Sequence, residues 1–288
     1  MKCLPGVKMF RLISKKIWLR FGLLENDYFS KISNLIYPLI ALISLIIVWE
    51  IVVHFFVLKS YIMPPPSSIF KELFFGGNVV DSGIDYYLNH AFITLFEAVS
   101  GFLIGSVFAF FLASIMVHSN IMDRTIYPLA VLIKVTPLVA IVPLFVIWFG
   151  FGLVPKILIA ALITFFPVMI NSLIGFRSVN PEMLDLFHSV AASNWKIFRR
   201  VRIPNSLPYI FAALRIAAPL SVIGAIVGEW FTGNTGLGAV IVVAHNNLEM
   251  PKVFAAVIML AFIGIGLTAC IIILEKYFVF WNGRGAND

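Results

Sequence analysis

Charge is scarce in this chain. Asp, Glu, Lys and Arg make up 12% of its 288 residues, where a soluble domain of this length carries about twice that share. A water-solvated body is thereby excluded. Cysteine is almost missing: Cys3 and Cys270 stand near opposite ends, and two isolated thiols make neither a metal nor a redox motif. The histidines, His54, His90, His118, His188 and His245, are scattered. No His-Glu-x-x-His occurs and no acidic pair sits within one apolar run, so neither metal-assisted nor acid-base hydrolysis has its residues. We expect no catalytic residue and no metal site. A phosphate loop is missing as well. Gly233 to Gly238 has no Lys after it, and Gly150 to Lys156 has neither the spacing nor the hydroxyl, so the chain is not expected to hydrolyse ATP by itself.

Apolar length is abundant. Hydrophobic residues make up 61% of the chain, and mean hydropathy is +1.00. A membrane helix needs roughly 20 mainly apolar residues to cross about 30 Å of hydrocarbon. Six runs qualify: Leu35 to Leu58, His90 to Val117, Ile126 to Phe149, Val154 to Phe176, Leu207 to Trp230 and Val253 to Phe280. The fold class expected is therefore all-α, a polytopic membrane protein of six spans. Only Gly150 to Leu153 separates the third span from the fourth, which makes a tight hairpin. The first run starts too late and is too long for a removable leader, so it reads as an uncleaved helix.

Basic residues near span ends stay on the cytoplasmic side. Lys2, Lys8, Arg11, Lys15, Lys16, Arg20 and Lys31 precede the first span, Arg124 follows the second, Arg177, Lys196, Arg199, Arg200 and Arg202 lie between the fourth and fifth, and Lys276 and Arg284 close the chain. The other side has Lys59, Lys71, Lys156 and Lys252. Both termini are thus expected in the cytoplasm. The net charge of +7 does not indicate nucleic acid, because these cations flank membrane spans and no soluble domain presents them as a groove. Residues 1–33 form an N-terminal cytoplasmic segment, 34–282 the membrane domain and 283–288 a short tail. For Val7 to Phe21 two readings stand: a helix lying on the inner leaflet, or a basic tail that only sets topology.

Several local features stand out. Met63-Pro-Pro-Pro-Ser67 opens the first outward loop and precedes a short helix over Ser67 to Phe75. Gly101 and Gly105 place two small residues on one helix face. Pro128, Pro137 and Pro143 in the third span and Pro167 in the fourth remove backbone donors, so these helices are expected to kink around a pathway. The inward loop from Arg177 to Asn205 is long. Met183, Leu184, Leu186, Phe187, Val190 and Ala191, then Trp195, Ile197, Phe198 and Val201, predict two short amphipathic helices broken near Ala192 to Asn194. Their apolar face packs either on the bundle itself or in a groove of a cytoplasmic partner.

The stretch Asp185-Leu-Phe-His-Ser-Val-Ala191-Ala-Ser-Asn-Trp195-Lys-Ile-Phe-Arg-Arg-Val201-Arg-Ile203-Pro204 resembles the EAA loop of ABC-importer permeases. That pattern is Glu-Ala-Ala, three residues, Gly, nine residues, Ile, one residue, Leu, Pro. Asp185, Leu186 and Phe187 stand for Glu-Ala-Ala, Ala191 for the Gly, Val201 for the Ile, and Ile203 with Pro204 for Leu-Pro. Spacing is intact while identities have drifted. Thr136-Pro137-Leu-Val-Ala-Ile-Val-Pro143-Leu-Phe-Val-Ile-Trp148-Phe-Gly150, Met63-Pro-Pro-Pro-Ser67, Leu214-Arg215-Ile and Gly228-Glu229-Trp230 through Gly238 are similar to the nitrate, sulfonate, taurine and pyrimidine branch of those permeases.

The resemblance implies a type I importer permease in the bacterial inner membrane, with residues 177–205 as the coupling loop. Asp185, Leu186, Phe187, Ala191, Ala192, Ser193, Trp195, Arg199 and Pro204 are its candidate coupling residues. It also implies an ATP-binding-cassette ATPase that binds ATP and Mg, a periplasmic or lipid-anchored substrate-binding protein, and a second permease copy, usually identical. No cofactor is expected in this chain. Phe151-Gly152-Leu-Val-Pro155-Lys156 and Ser221 through Trp230 look most like permeases for thiamine-precursor pyrimidines or riboflavin. Glu97, where many sulfonate and nitrate relatives carry Arg, points the same way. The alternative substrates are nitrate, taurine and alkanesulfonates.

Candidate pathway or gate residues are Lys134, Thr136, Pro137, Asn171, Ser221 and Glu229. Lys134 lies within a span, where an unpaired cation costs about 2.5–3.5 kcal/mol on insertion scales; it attracts an anionic substrate, braces a kink or snorkels to the interface. Glu229 hydrogen-bonds a substrate, closes a periplasmic gate or is an interfacial carboxylate beside Trp230. Glu50, Glu97 and Arg215 are expected to pair structurally or to sit at an interface rather than to contact substrate. A carrier or channel independent of ATP is the competing class, but inverted repeats are not found and the loop ending at Pro204 would have no purpose there.

Overall fold

The computed structural model describes residues 36–56, 62–76, 82–233 and 235–281. Residues 1–33, the tail 283–288, Cys3, Lys59 and Asn234 therefore lie wholly outside the described residues. The chain divides after Ser67. In the first unit, α1 is described over Ile36–Phe55 and is apolar around its circumference, with Tyr37, Ile40, Leu45 and Phe55 all exposed. α2 (Pro66–Phe75), which straddles this division, begins one residue earlier than expected. Its first free amide, Ser67 N–H, donates to Glu50 Oε2 at 3.1 Å while Ser67 Oγ donates to Oε1 at 2.8 Å. Glu50 thus satisfies a helix start that has no intrahelical acceptor.

The second unit contains α3 (Ile84–His118), α4 (Asn120–Val135), α5 (Leu138–Phe149), α6 (Leu153–Arg177), α7 (Pro181–Ser189), α8 (Asn194–Ile197), α9 (Ile203–Thr232), α10 (Leu237–Asn246) and α11 (Met250–Phe278). All regular structure among the described residues is helical. Among the described residues five helices are long and apolar enough to span a membrane, and α4 with α5 makes a sixth span if the bent pair counts as one.

The core is built by small residues that let α6 lie between α3 and α9. Gly101 rests on Ala160 and Gly105 on Thr164, so α3 and α6 run parallel; on the other face Gly224 rests on Ala160 and Gly228 on Lys156, so α9 runs antiparallel to α6. A Cβ at Gly228 would lie 2.7 Å from Lys156 Cα, closer than van der Waals contact allows. Between apolar helices in lipid there is no hydrophobic gain, so close backbone approach supplies the attraction through dispersion. The expected Gly101 and Gly105 contact face is the α3–α6 seam. Toward the Arg177 end of α6 the seam widens and larger side chains fill it. Phe176 is 5.5 Å from Phe110 and 5.2 Å from Phe198 between ring centres.

Two elements differ from the sequence expectation. The third span is not kinked but broken: α4 and α5 diverge by 99° at Thr136–Pro137. Pro137 disfavours helical backbone at the residue before it, and Thr136 is extended at φ −70° and ψ 129°. Pro128 and Pro143, by contrast, sit inside their helices. The second of the two loop helices is also not separate. α8 runs on through a π turn at Phe198–Arg202 into α9. Pro204 has no N–H and its ring crowds the carbonyl four residues back; the wider π turn just ahead of it relieves that clash.

Candidate functional site

The α7–α8 segment is organised by its ends. Asn180 caps α7, its Oδ1 accepting from Glu182 N–H at 3.1 Å, and Pro181 occupies the first turn, where its missing donor costs nothing. α7 stops in a Schellman motif: Ala192 N–H donates to Phe187 O at 3.0 Å and Ala191 N–H to His188 O at 2.9 Å. Such a motif needs a left-handed residue. Ala191 supplies it with φ 51°. Ser193 then caps α8 by accepting from Lys196 N–H at 3.4 Å.

The two faces of this segment differ. Leu184, Phe187 and Ala192 pack on the buried trio Val179, Ile197 and Val201, which holds α7 against α8. The other face is unpartnered: Met183, Leu186, Val190 and Trp195 are 49%, 62%, 69% and 66% exposed. Asp185, Arg199 and Arg200 are exposed beside them. Trp195 is steadied by Phe198, 5.8 Å away between ring centres. Pro204 lies in the first turn of α9.

The broken span carries the first group of candidate pathway residues. Lys134, Thr136 and Pro137 are all exposed at the elbow. Lys134 Nζ stands 4.6 Å from the centre of the Phe166 ring, a cation–π contact that a cation in an apolar span can use in place of an anion. Thr136 Oγ1 donates to Leu132 O at 2.8 Å and so ends α4. The structure does not bring the other candidates to this elbow as free groups. Asn171 is half-buried and donates to Pro167 O at 2.8 Å. Ser221 is fully buried and donates to Ala218 O at 2.7 Å.

Glu229 is fully buried. Its Oε1 accepts from Thr94 Oγ1 at 2.6 Å and its Oε2 from Gly238 N–H at 2.5 Å. Leu237 N–H donates to Thr94 Oγ1 at 2.9 Å, and Gly236 N–H to His90 Nδ1 at 3.1 Å. The Glu229 carboxylate therefore closes the amino end of α10, where backbone donors and the helix dipole favour an anion. Gly236 and Gly238 are small because the carboxylate fills the space their side chains would take.

Sequence reasoning counted Lys156 only as an outward charge. It is 2% exposed and paired to Glu97 Oε1 at 2.9 Å, with a second hydrogen bond to Thr235 O at 3.0 Å. Its position at the start of an apolar helix, right after Pro155, was the available clue. Glu97 and Arg215 pair structurally as expected, the latter with Glu275 at 3.1 Å. Among the described residues no cluster of His, Cys, Asp or Glu is arranged to hold a metal.

An exposed apolar loop face, a broken span and an all-helical bundle now stand together. A family model for the binding-protein-dependent transport system inner membrane component matches residues 101–281. The chain belongs to this family. It is a multi-pass inner-membrane permease of the ABC-importer class. Importers of this kind work with an ATPase and a substrate-binding protein. The permease is 32% identical to the formylaminopyrimidine transport permease protein ThiX of Halalkalibacterium halodurans, over 86% of this chain and 96% of that one. It is 31% identical to the riboflavin transport system permease protein RibX of Chloroflexus aurantiacus, over 84% and 89%. It is 27% identical to the taurine transport system permease protein TauC of Escherichia coli, over 83% and 87%. The matched region contains α7, α8 and both halves of the broken span.

Proposed function

We propose that this permease forms half of a pathway for a small organic nutrient, a thiamine-precursor pyrimidine or riboflavin, and that the α7–α8 segment docks in a groove of the partner ATPase. One observation carries the docking reading: Met183, Leu186, Val190 and Trp195 form an exposed apolar face, on a segment whose other face is used up in holding α7 against α8. A short amphipathic helix laid into a groove buries such a face. The substrate reading is supported by similarity to permeases named for formylaminopyrimidine and riboflavin; nitrate, taurine and alkanesulfonates are the alternative.

In this reading both termini and α7–α8 face the cytoplasm, and two identical copies enclose the pathway. ATP and Mg bind the ATPase, and the permease itself catalyses nothing. Closure of the two ATPase subunits draws the docking segments together. The elbow at Thr136–Pro137, with Lys134 beside it, then turns from the inner to the outer side, where a binding protein delivers substrate. The buried Glu229 and Lys156 clusters hold the outer end of the bundle and do not touch substrate.

The deciding assay is ATP hydrolysis by the reconstituted complex, stimulated by its binding protein loaded in turn with a formylaminopyrimidine, riboflavin, an alkanesulfonate, taurine or nitrate. Stimulation by the pyrimidine or the flavin is expected. Stimulation by nitrate or taurine alone overturns the substrate reading. Replacing Ala191 with Glu is expected to abolish capture of the ATPase without loss of membrane insertion; uptake that survives it overturns the docking reading.

A further inference from the structure

The α7–α8 segment has its own grip on the rest of the bundle, and that grip lands on one short piece of chain. Between α3 and α4 lies a corner, Val117–Asp123. Arg177, the last residue of α6 and the residue just before the loop, reaches it from one side: its Nη2 is 2.8 Å from Asp123 Oδ2. Arg202, at the far end of the loop, reaches it from the other through a long 3.5 Å hydrogen bond to Val117 O. Between them the His118 ring meets Phe198 edge-on at 4.8 Å. Phe198 is also in contact with Trp195, on the exposed face. The two guanidinium groups repel one another across this corner, and Asp123 pairs with Arg177.

The element on the far side of the corner is loosely held. α4 buries only Ala130. Behind α4 and α5 lies an apolar cavity of about 390 Å³, lined by residues including Phe108, Ile126, Ile133, Phe145 and Phe165. α4 therefore has room to shift against α3 and α6. Asp123 sits in its first turn, so a pull on that carboxylate acts on the end of the helix and is carried along it, past Pro128, to the elbow. Asp123 Oδ1 is buried and has no hydrogen-bond partner among the described residues. The ion pair with Arg177 is made through Oδ2.

We propose that Asp123 and Arg177 are positioning residues that transmit movement of the α7–α8 segment to the broken span. The inference rests on the docking reading above and extends it from the surface of the loop to the pathway. The pair is partly exposed, Arg177 at 48% and Asp123 at 24%, so its removal has little effect on folding.

The test uses the full complex with its ATPase in lipid nanodiscs, with Cys3 and Cys270 replaced by Ser and a spin label at Ile147→Cys on the exposed face of α5. The distance between labels in the two copies is measured without nucleotide and with ATP and vanadate. The unaltered pair is expected to give a nucleotide-dependent shift. Asp123→Asn and Arg177→Gln should each lose most of that shift while ATPase binding is retained; Asp123→Glu and Arg177→Lys should keep it. The double variant should lose no more than either single one, as two ends of one link do. A shift that persists in the single variants, or losses that add in the double, overturns the inference. If the unaltered complex fails to bind the ATPase, the docking reading falls instead and takes this one with it.

Discussion

At position 191 a single methyl group works against the local backbone. The Schellman turn that ends α7 requires a left-handed residue, and Ala191 adopts φ 51°, a conformation that costs an L side chain roughly 1–2 kcal/mol. Glycine relieves that clash but loses chain entropy on folding. Ala191→Gly is therefore expected to stabilise the turn modestly, by at most about 1 kcal/mol, and to leave ATPase capture unchanged in a pull-down. Ala191→Val, branched at Cβ, should weaken capture. A larger effect belongs to Lys156 and Glu97. Their side chains are 3% and 0% exposed, so either one alone is a buried charge without its counterion. Lys156→Met should destabilise the permease by about 3–5 kcal/mol, read as a lower melting temperature in detergent. The Lys156→Met, Glu97→Leu double variant should recover much of that loss, because two apolar groups leave no charge to solvate.

At the scale of elements, the feature that sets this bundle apart is the division of the third span. Pro137 removes one donor and pushes Thr136 out of helical backbone, and α4 and α5 leave that point 99° apart. Joined as one straight helix, Ile121 and Ile147 would be roughly 40 Å apart; bent as they are, their axis points lie about 26 Å apart. Pro137→Ala lifts the restriction at Thr136. Spin labels at those two sites, diluted with unlabelled protein, should move toward the longer distance, and transport should fall while ATP hydrolysis continues. An unchanged distance would mean that packing against α6, and not the proline, sets the bend.

For the whole molecule, the arrangement requires that α7–α8 and the Gly150–Leu153 hairpin lie on opposite sides of the membrane. α6 connects them: it starts after the hairpin at Leu153 and ends before the loop at Arg177. In a background without Cys3 and Cys270, Ser189→Cys should react with an impermeant maleimide only in inside-out vesicles. Phe151→Cys, 74% exposed in the wild-type side chain, should react only in intact cells. The reverse pattern would invert the topology drawn from the basic residues.

Much of this was legible along the chain. Apolar length specified six crossings because each helix must satisfy its own backbone in lipid, and that is a local requirement. The break between two loop helices near Ala192 was legible for the same reason: a cap and a turn are properties of consecutive residues. The break at Pro137 was only half legible. Pro128, Pro137 and Pro143 look alike within the third apolar run, and nothing in the run itself says which of them ends a helix. Lys156 was read as a surface charge and Glu229 as a gate candidate, because a charge at a span end does not reveal its partner. Glu97 lies 59 residues from Lys156, and Thr94 lies 135 from Glu229; only the packing of α3, α6 and α9 through their small residues brings them together. The sequence by itself determined a helical membrane protein with a structured loop between its fourth and fifth apolar runs, since those follow from hydropathy and local backbone chemistry. The tertiary structure decided which charges are buried, which span is broken and which corner the loop grips, since each of those is a contact between residues far apart in the chain.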